Sequence, residues 1–398
     1  MAEASPLFSI VMPTRNRAPL LRYALQSALQ QTFTDYEIIV SNNCSSDDTE
    51  EVIREVEGWP VRYVRTETAL PMHDSWEFAL GQARGRWITF LCDDDALLPS
   101  ALERIRDCIT THQTEVVAWL TGFYLLDTPH SRYPERRGQL ALVRGSHRVL
   151  TLESREQLQT LFEARSDYLR LPKLLNSCCT RRIIDAVRGR AGRLFLPPCP
   201  DYSSCAAILA STDSYAYIDS PLALHGHGAH VHAVSTTYRA PTVHLDFVED
   251  FRGQPILTHV PLSHLTGENT IAESLLTVKE AMPAELAWAQ MDWAGYFTAC
   301  YGDLLGLAEC GLDTSALRRE FSSALAKQPA LVRAVVWMRS LKARLKSTLH
   351  RPPLWPLIVG SGMLRAMDNL RRGHRRVVGW ERRIPDILEA VRQAANLA

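Results

Sequence analysis

The sequence predicts an α/β protein: a doubly wound, mostly parallel sheet over residues 1–239, followed by a helical, basic region over residues 240–398. Short apolar strands alternate with amphipathic helices through about the first 125 residues, the pattern of successive βαβ units. Three turns that follow strands are polar or acidic: PTRNRA, SNNCSS and the aspartate triplet of LCDDDALLP. In such sheets ligands bind at the carboxyl ends of the strands. From about Ala240 the pattern turns helical.

Phe8 to Met12 has the length and composition of a strand and is closed by Pro13. Pro19 opens a helix whose Leu21, Ala24, Leu25, Ala28 and Leu29 share one face. Glu37 to Ser41 is a second strand, and beyond SNNCSS the pair Asp47 and Glu50 has capping-box spacing. Val61 to Val64 is a third strand. Asp74 and Glu77 repeat the capping spacing ahead of SWEFALGQAR, a helix stopped at Gly85. The strand Trp87 to Leu91 runs into Asp93, Asp94 and Asp95, and a helix from Pro99 to His112 and a strand from Val116 follow. Residues 128–145, rich in Arg, Pro and Gly, read as a loop. Ser154–Arg165 and Thr180–Val187 read as helices, Tyr215–Asp219 as a strand, and HGHGAHVH as a loop. Helices over Asn269–Lys279, Ala284–Leu307 and Leu331–Leu345 complete the pattern.

The 398 residues carry 44 basic and 44 acidic side chains, but unevenly. Residues 331–398 hold 14 Lys/Arg against 4 Asp/Glu, leaving by subtraction 30 against 40 for the rest. An apolar fraction of 46% describes an ordered globular chain. Nine cysteines without CxxC pairs fit free thiols in a reducing compartment. The start, MAEASPLFSIVMP, has no basic segment ahead of an apolar run, and no run approaches the roughly 18 apolar residues that span a bilayer. The expectation is a cytoplasmic protein, soluble or peripheral at the inner face of the cell membrane.

Three carboxylates at the end of a buried strand repel one another. A hard divalent cation such as Mg²⁺ or Mn²⁺ relieves that repulsion, and Mg²⁺ is usually shared between one or two carboxylates and substrate phosphates. The triplet therefore points to a nucleoside-diphosphate substrate, the alternative being a solvated acidic turn capping the next helix.

The stretch IVMPTRNRAPLLRYALQSALQQTFTDYEIIVSNNCSSDDT, followed by SWEFALGQARGRWITFLCDDDALLP, resembles family 2 glycosyltransferases of the GT-A fold, over about the first 235 residues. The resemblance implies an inverting, metal-dependent transfer from a nucleoside-diphosphate sugar, read here as a UDP-sugar, to a hydroxyl of a glycan or glycolipid. Pro13, Thr14, Arg15 and Arg17 would line the nucleotide pocket. Asn42 stands where the family usually has an aspartate. Asp93 or Asp94 would touch the ribose. Asp95, with Asp93, would hold the Mn²⁺ or Mg²⁺. Asp201 sits where the family keeps its catalytic base, with Pro200 where many members have a second acid.

Beside these, Asp74 reads as an N-cap or a donor contact, and Trp76 and Phe78 as core rather than a sugar platform. Cys92 reads as a small buried filler. His225, His227, His230 and His232 read as an acceptor-side loop in which His225 contacts the diphosphate or metal, as a plain surface loop, or as a zinc site lacking regular spacing. The basic tail reads as a peripheral membrane contact or as a helical packing or homodimer surface. No nucleic-acid motif supports a third reading. A nucleotidyltransferase would also use aspartates and a metal, but PTRNRA lacks the glycines of a phosphate loop. A nucleotide-sugar-binding partner without turnover is the non-enzyme alternative.

Overall fold

The computed structural model describes residues 5–126, 138–143, 145–227, 247–309, 312–349, 377–381 and 384–397. One mixed sheet runs through the molecule. Its parallel part is β3 (Val61–Arg65), β2 (Tyr36–Asn42), β1 (Phe8–Thr14) and β4 (Trp87–Phe90), in that order. β9 (Ser177–Thr180) joins β4 antiparallel and in turn pairs antiparallel with β6 (Val116–Leu125). The far end of β6 pairs with β7 (Leu140–Val143), and β7 with β11 (Val377–Glu381), both antiparallel. The long β10 (Ser214–His227) runs parallel to β6 and antiparallel to β8 (Val149–Glu153) and the two-residue β5 (Ala96–Leu97).

Side chains alternate faces along a strand, and here both faces are covered. Val11, Ile39, Ile88, Phe90, Val116 and Ala118 enter one core, whereas Ile10, Met12, Ile38, Val40, Trp87, Val117 and Trp119 enter the other. The second core is closed by α1 (Ala18–Leu29), α2 (Thr49–Arg54) and α4 (Ala101–His112), through Leu21, Ala24, Leu25, Val52, Leu102 and Ile105. The first is closed by α3 (Met72–Gly81), α5 (Ser154–Phe162), α6 (Arg181–Ala191) and α7 (Pro200–Leu209). Trp76 of α3 lies stacked on Phe90 and edge-on to Phe195, so it is core, as expected.

The C-terminal region threads back into these cores. α8 (Gly267–Ala281) places Ile271, Leu275 and Val278 in the first core beside α7. α9 (Trp293–Glu309), α10 (Ser315–Ala326) and the start of α11 (Ala330–Leu349) build a cluster of their own around Phe297, Leu304, Phe321 and Val336. α12 (Ile387–Leu397) seats Ile387, Ala390, Val391 and Ala394 against Leu98, Tyr124 and Leu224. Residues 284–292 are turn and irregular chain rather than the start of the expected helix, and β7 lies within the expected loop of 128–145. The boundary near Ala240 and most of the basic tail, residues 350–376, lie outside the described residues.

Candidate active site at the end of β4

β4 ends at Phe90, and a turn closed by Asp95 N–H donating to the Cys92 carbonyl (3.1 Å) spans residues 92–95. Such a turn brings its first and fourth residues together while its second points elsewhere. All three aspartates are at least nine-tenths buried.

Asp93 faces the PTRNRA turn. Thr14 Oγ1 donates to its Oδ2 (2.8 Å) and Arg17 Nη1 to its Oδ1 (3.0 Å). The same guanidinium lies 3.6 Å from Asp94 Oδ2. Burial works against the Arg17 charge, but Asp93 and Asp94 outweigh it and hold the group above its ordinary value. Pro13 is the buried penultimate residue of β1 and brings Thr14 to this position.

Asp95 faces the other way. Its Oδ1 accepts from Gly226 N–H (3.0 Å), and its Oδ2 lies 3.0 Å from His225 Nδ1. His225 is therefore part of β10, paired opposite Phe123, and not of a free loop; the His227 side chain and residues His230 and His232 lie outside what is described. A Cβ on Gly226 would sit 1.8 Å from the Asp94 carbonyl oxygen, so only glycine lets β10 press this close to the turn. Gly226 escaped the sequence reading because its requirement comes from a contact 132 residues away.

One oxygen each of Asp94 and Asp95 and the Cys92 sulfur lie within 4.8 Å of one another. Asp94 is pushed well above the usual carboxylate range, chiefly by burial and next by Asp95, with Asp93 adding and Arg17 opposing. Within the turn it is Asp94 and Asp95, rather than Asp93 and Asp95, that bring a carboxylate oxygen each within 4.8 Å of the other and of the Cys92 sulfur. A compact set of two oxygen donors and one sulfur donor fits a divalent metal.

Other expected site residues take different partners. The Asn42 amide donates to Tyr63 Oη (2.8 Å) and accepts from Ser45 N–H (2.8 Å) with no exposed surface, so it shapes the SNNCSS turn from behind. Arg15 Nη1 holds both oxygens of Asp250, at 2.9 and 3.0 Å. Asp74 lies inside α3 and does not cap it; its Oδ1 accepts from Arg193 Nη2 (2.6 Å). Glu77, its expected capping partner, instead pairs with Arg188 (2.7 Å) and accepts from the N–H groups of Leu194 and Phe195 (3.0 and 3.1 Å). These bonds fix the segment that leads into α7, and Phe195 packs edge-on to Phe90 at the end of β4 (5.0 Å).

Asp201 lies in the first turn of α7, where the positive end of the helix favours a carboxylate. Pro200 begins α7, where its missing N–H is harmless. The Cys199 thiol hydrogen-bonds Asp201 and is raised by burial and then by that carboxylate. Tyr202 is raised in the same way, and the Lys173 ammonium lies 5.5 Å from the centre of its ring.

Residues 9–180 match the Glycosyl transferase family 2 model. The chain is 38% identical over 103 residues to the GalNAc(5)-diNAcBac-PP-undecaprenol beta-1,3-glucosyltransferase of Campylobacter jejuni, covering 25% of this chain and 33% of that one. It is 32% identical over 97 residues to the UDP-Glc:alpha-D-GlcNAc-diphosphoundecaprenol beta-1,3-glucosyltransferase WfgD of Escherichia coli, covering 24% and 38%. The chain thus spans about a third of the length of the curated relatives it matches. Among solved structures, it is similar to S. aureus TarS 1–349 in complex with UDP-GlcNAc, at 15% identity and a TM-score of 0.46 over 92% of this chain and 90% of that one. The family-matched segment runs from the first strand through the aspartate turn to β9.

Proposed function

We propose that this chain is a metal-dependent, inverting glycosyltransferase that moves a sugar from a UDP-sugar to a hydroxyl of a lipid-linked or surface glycan. The observation that carries it is the buried turn in which Asp94, Asp95 and Cys92 converge beside an Arg17–Asp93 ion pair.

In this reading Thr14 and Arg17 fix Asp93 against the ribose, while Arg15 is held by Asp250. Asp94 and Asp95 hold Mn²⁺ or Mg²⁺, with His225 and Gly226 N–H orienting Asp95. The cation, when bound, neutralises the leaving diphosphate. The acceptor hydroxyl oxygen attacks the anomeric carbon from the face opposite that diphosphate, the carbon–oxygen bond to the phosphate breaks with its electron pair leaving on oxygen, and Asp201 takes the hydroxyl proton. One displacement inverts the anomeric centre. The undecaprenol-linked acceptors named for the two bacterial relatives support a lipid-linked acceptor. α11 carries exposed Leu331, Trp337, Met338 and Leu341 and no acidic residue, which suits peripheral contact with an anionic bilayer. Among the described residues no helix is long and apolar enough to cross a membrane.

The test is a panel of thermal shifts with UDP, GDP, CDP and TDP, each with and without Mn²⁺. A ligand at about a hundred times its Kd stabilises by about 2.7 kcal/mol, which a melt resolves easily. UDP is expected to shift the wild type only with Mn²⁺, and Asp95→Ala not at all. No shift for any nucleotide overturns the proposal, and a shift for a different nucleotide replaces the donor.

A further inference from the structure

We propose that Cys92 is the third protein ligand of the metal at the aspartate turn, and that its sulfur tilts this site away from Mg²⁺ toward softer divalent cations. The inference rests on the metal-dependent reading above and deepens it.

The turn geometry carries the argument. Hydrogen-bonded closure of residues 92–95 folds the first residue back over the last, and the Cys92 sulfur lies within 4.8 Å of a carboxylate oxygen of Asp94 and of Asp95. Asp93, the remaining carboxylate, is satisfied by Thr14 and Arg17. The thiol therefore stands where a third oxygen ligand would otherwise be needed. The thiol is part-buried. A cation bound between the carboxylates would take the sulfur as thiolate, the thiol proton leaving to solvent.

Carboxylates suit Mg²⁺ and Mn²⁺, whereas a thiolate suits softer ions, and affinity at mixed sites rises from Mn²⁺ through Co²⁺. Mg²⁺ gains little from sulfur. An all-oxygen turn and this turn should thus rank cations differently, and the distinction lies in one side chain.

Co²⁺ reports the bond directly. The full chain, reduced and saturated with UDP, is titrated with Co²⁺ while the near-ultraviolet thiolate-to-cobalt charge-transfer band is followed. Mg²⁺- and Co²⁺-dependent UDP binding is measured in parallel by thermal shift. The wild type should develop the band. Cys92→Ser should lose it and show a Co²⁺ over Mg²⁺ preference reduced by on the order of tenfold or more, since loss of even an outer-shell partner costs that much. Cys92→Asp should move the preference further toward Mg²⁺, and Cys92→Ala serves if serine destabilises the turn. Co²⁺ binding without a Cys92-dependent band, or an unchanged cation preference in Cys92→Ser, overturns the proposal while leaving metal-dependent UDP binding standing. Absence of any divalent-dependent UDP binding in the wild type removes the metal reading and this inference together.

Discussion

Asp93 and Asp95 are two residues apart, equally buried, and solved in opposite ways. Asp93 is closed: a guanidinium neutralises it and a threonine hydroxyl fills a second oxygen. Asp95 is open: its contacts are a peptide N–H and an imidazole, and Asp94 beside it lies 3.6 Å from the Arg17 guanidinium. Burying carboxylates is expensive unless charge compensates it. The first pole carries its own cation within the chain; in the proposed function the second receives one. On that proposal a DDD run serves two tasks.

The largest expected effect lies outside both poles. Asp201→Asn should lower turnover by about 10²–10⁴-fold, the usual contribution of a general base, while Mn²⁺-dependent UDP binding stays at the wild-type level. A loss of UDP binding in Asp201→Asn would place Asp201 in the donor site and break the separation. Next comes Arg17→Ala, which converts the closed pole to an open one. Leaving Asp93 and Asp94 buried without their cation should cost about 3–5 kcal/mol in chemical denaturation. Mn²⁺ should restore more stability to this variant than it adds to the wild type. Equal metal stabilisation of both would deny that the poles differ in charge compensation.

The smallest effect is a control remote from either pole. Glu273 of α8 accepts from the N–H groups of Thr258, His259 and Val260, and His259 bridges Glu273 (2.8 Å) and Glu280 (2.9 Å). Burial opposes the His259 charge, but the two glutamates outweigh it and raise the imidazole. Its contribution is therefore complete below the unfolded value of about 6.5 and fades as pH rises through the folded one. Burial likewise opposes the Glu273 charge, but its hydrogen bonds hold that carboxyl below its ordinary value, so its contribution fades at the acid end as pH falls through the folded one. Because His259 is part-exposed, melts should lose about 1 kcal/mol or less between pH 6 and pH 9, and His259→Ala should flatten that slope. An unchanged slope in the variant would assign it elsewhere.

The strands and helices up to β6 were legible because each announces itself locally, by alternation or by helical spacing, and both faces of their sheet are apolar. The aspartate turn was legible for the same reason. Partners chosen across the chain were not. Asp74 and Glu77 have the spacing of a capping box, yet Arg188, Arg193 and the N–H groups of Leu194 and Phe195 claim them from more than a hundred residues away. Glycine and histidine disguised the end of β10, whose extended conformation is imposed by its register on β6. β11 was hidden in a basic tail, and it exists as a strand by pairing with β7. The pairing of Asp94 with Asp95 could not be read from three identical letters, because the turn decides which way each points.

The central claim is that the Asp94–Asp95 pole receives a divalent cation together with a nucleoside diphosphate. Calorimetric titration of Mn²⁺ into the UDP-saturated protein tests it most directly, on wild type and Asp95→Asn. One Mn²⁺ per chain in the wild type, weakened in Asp95→Asn by more than the roughly 100-fold that loss of an outer-shell partner reaches, is the predicted result. Equal Mn²⁺ affinity in the two proteins, or none in either, would contradict the account.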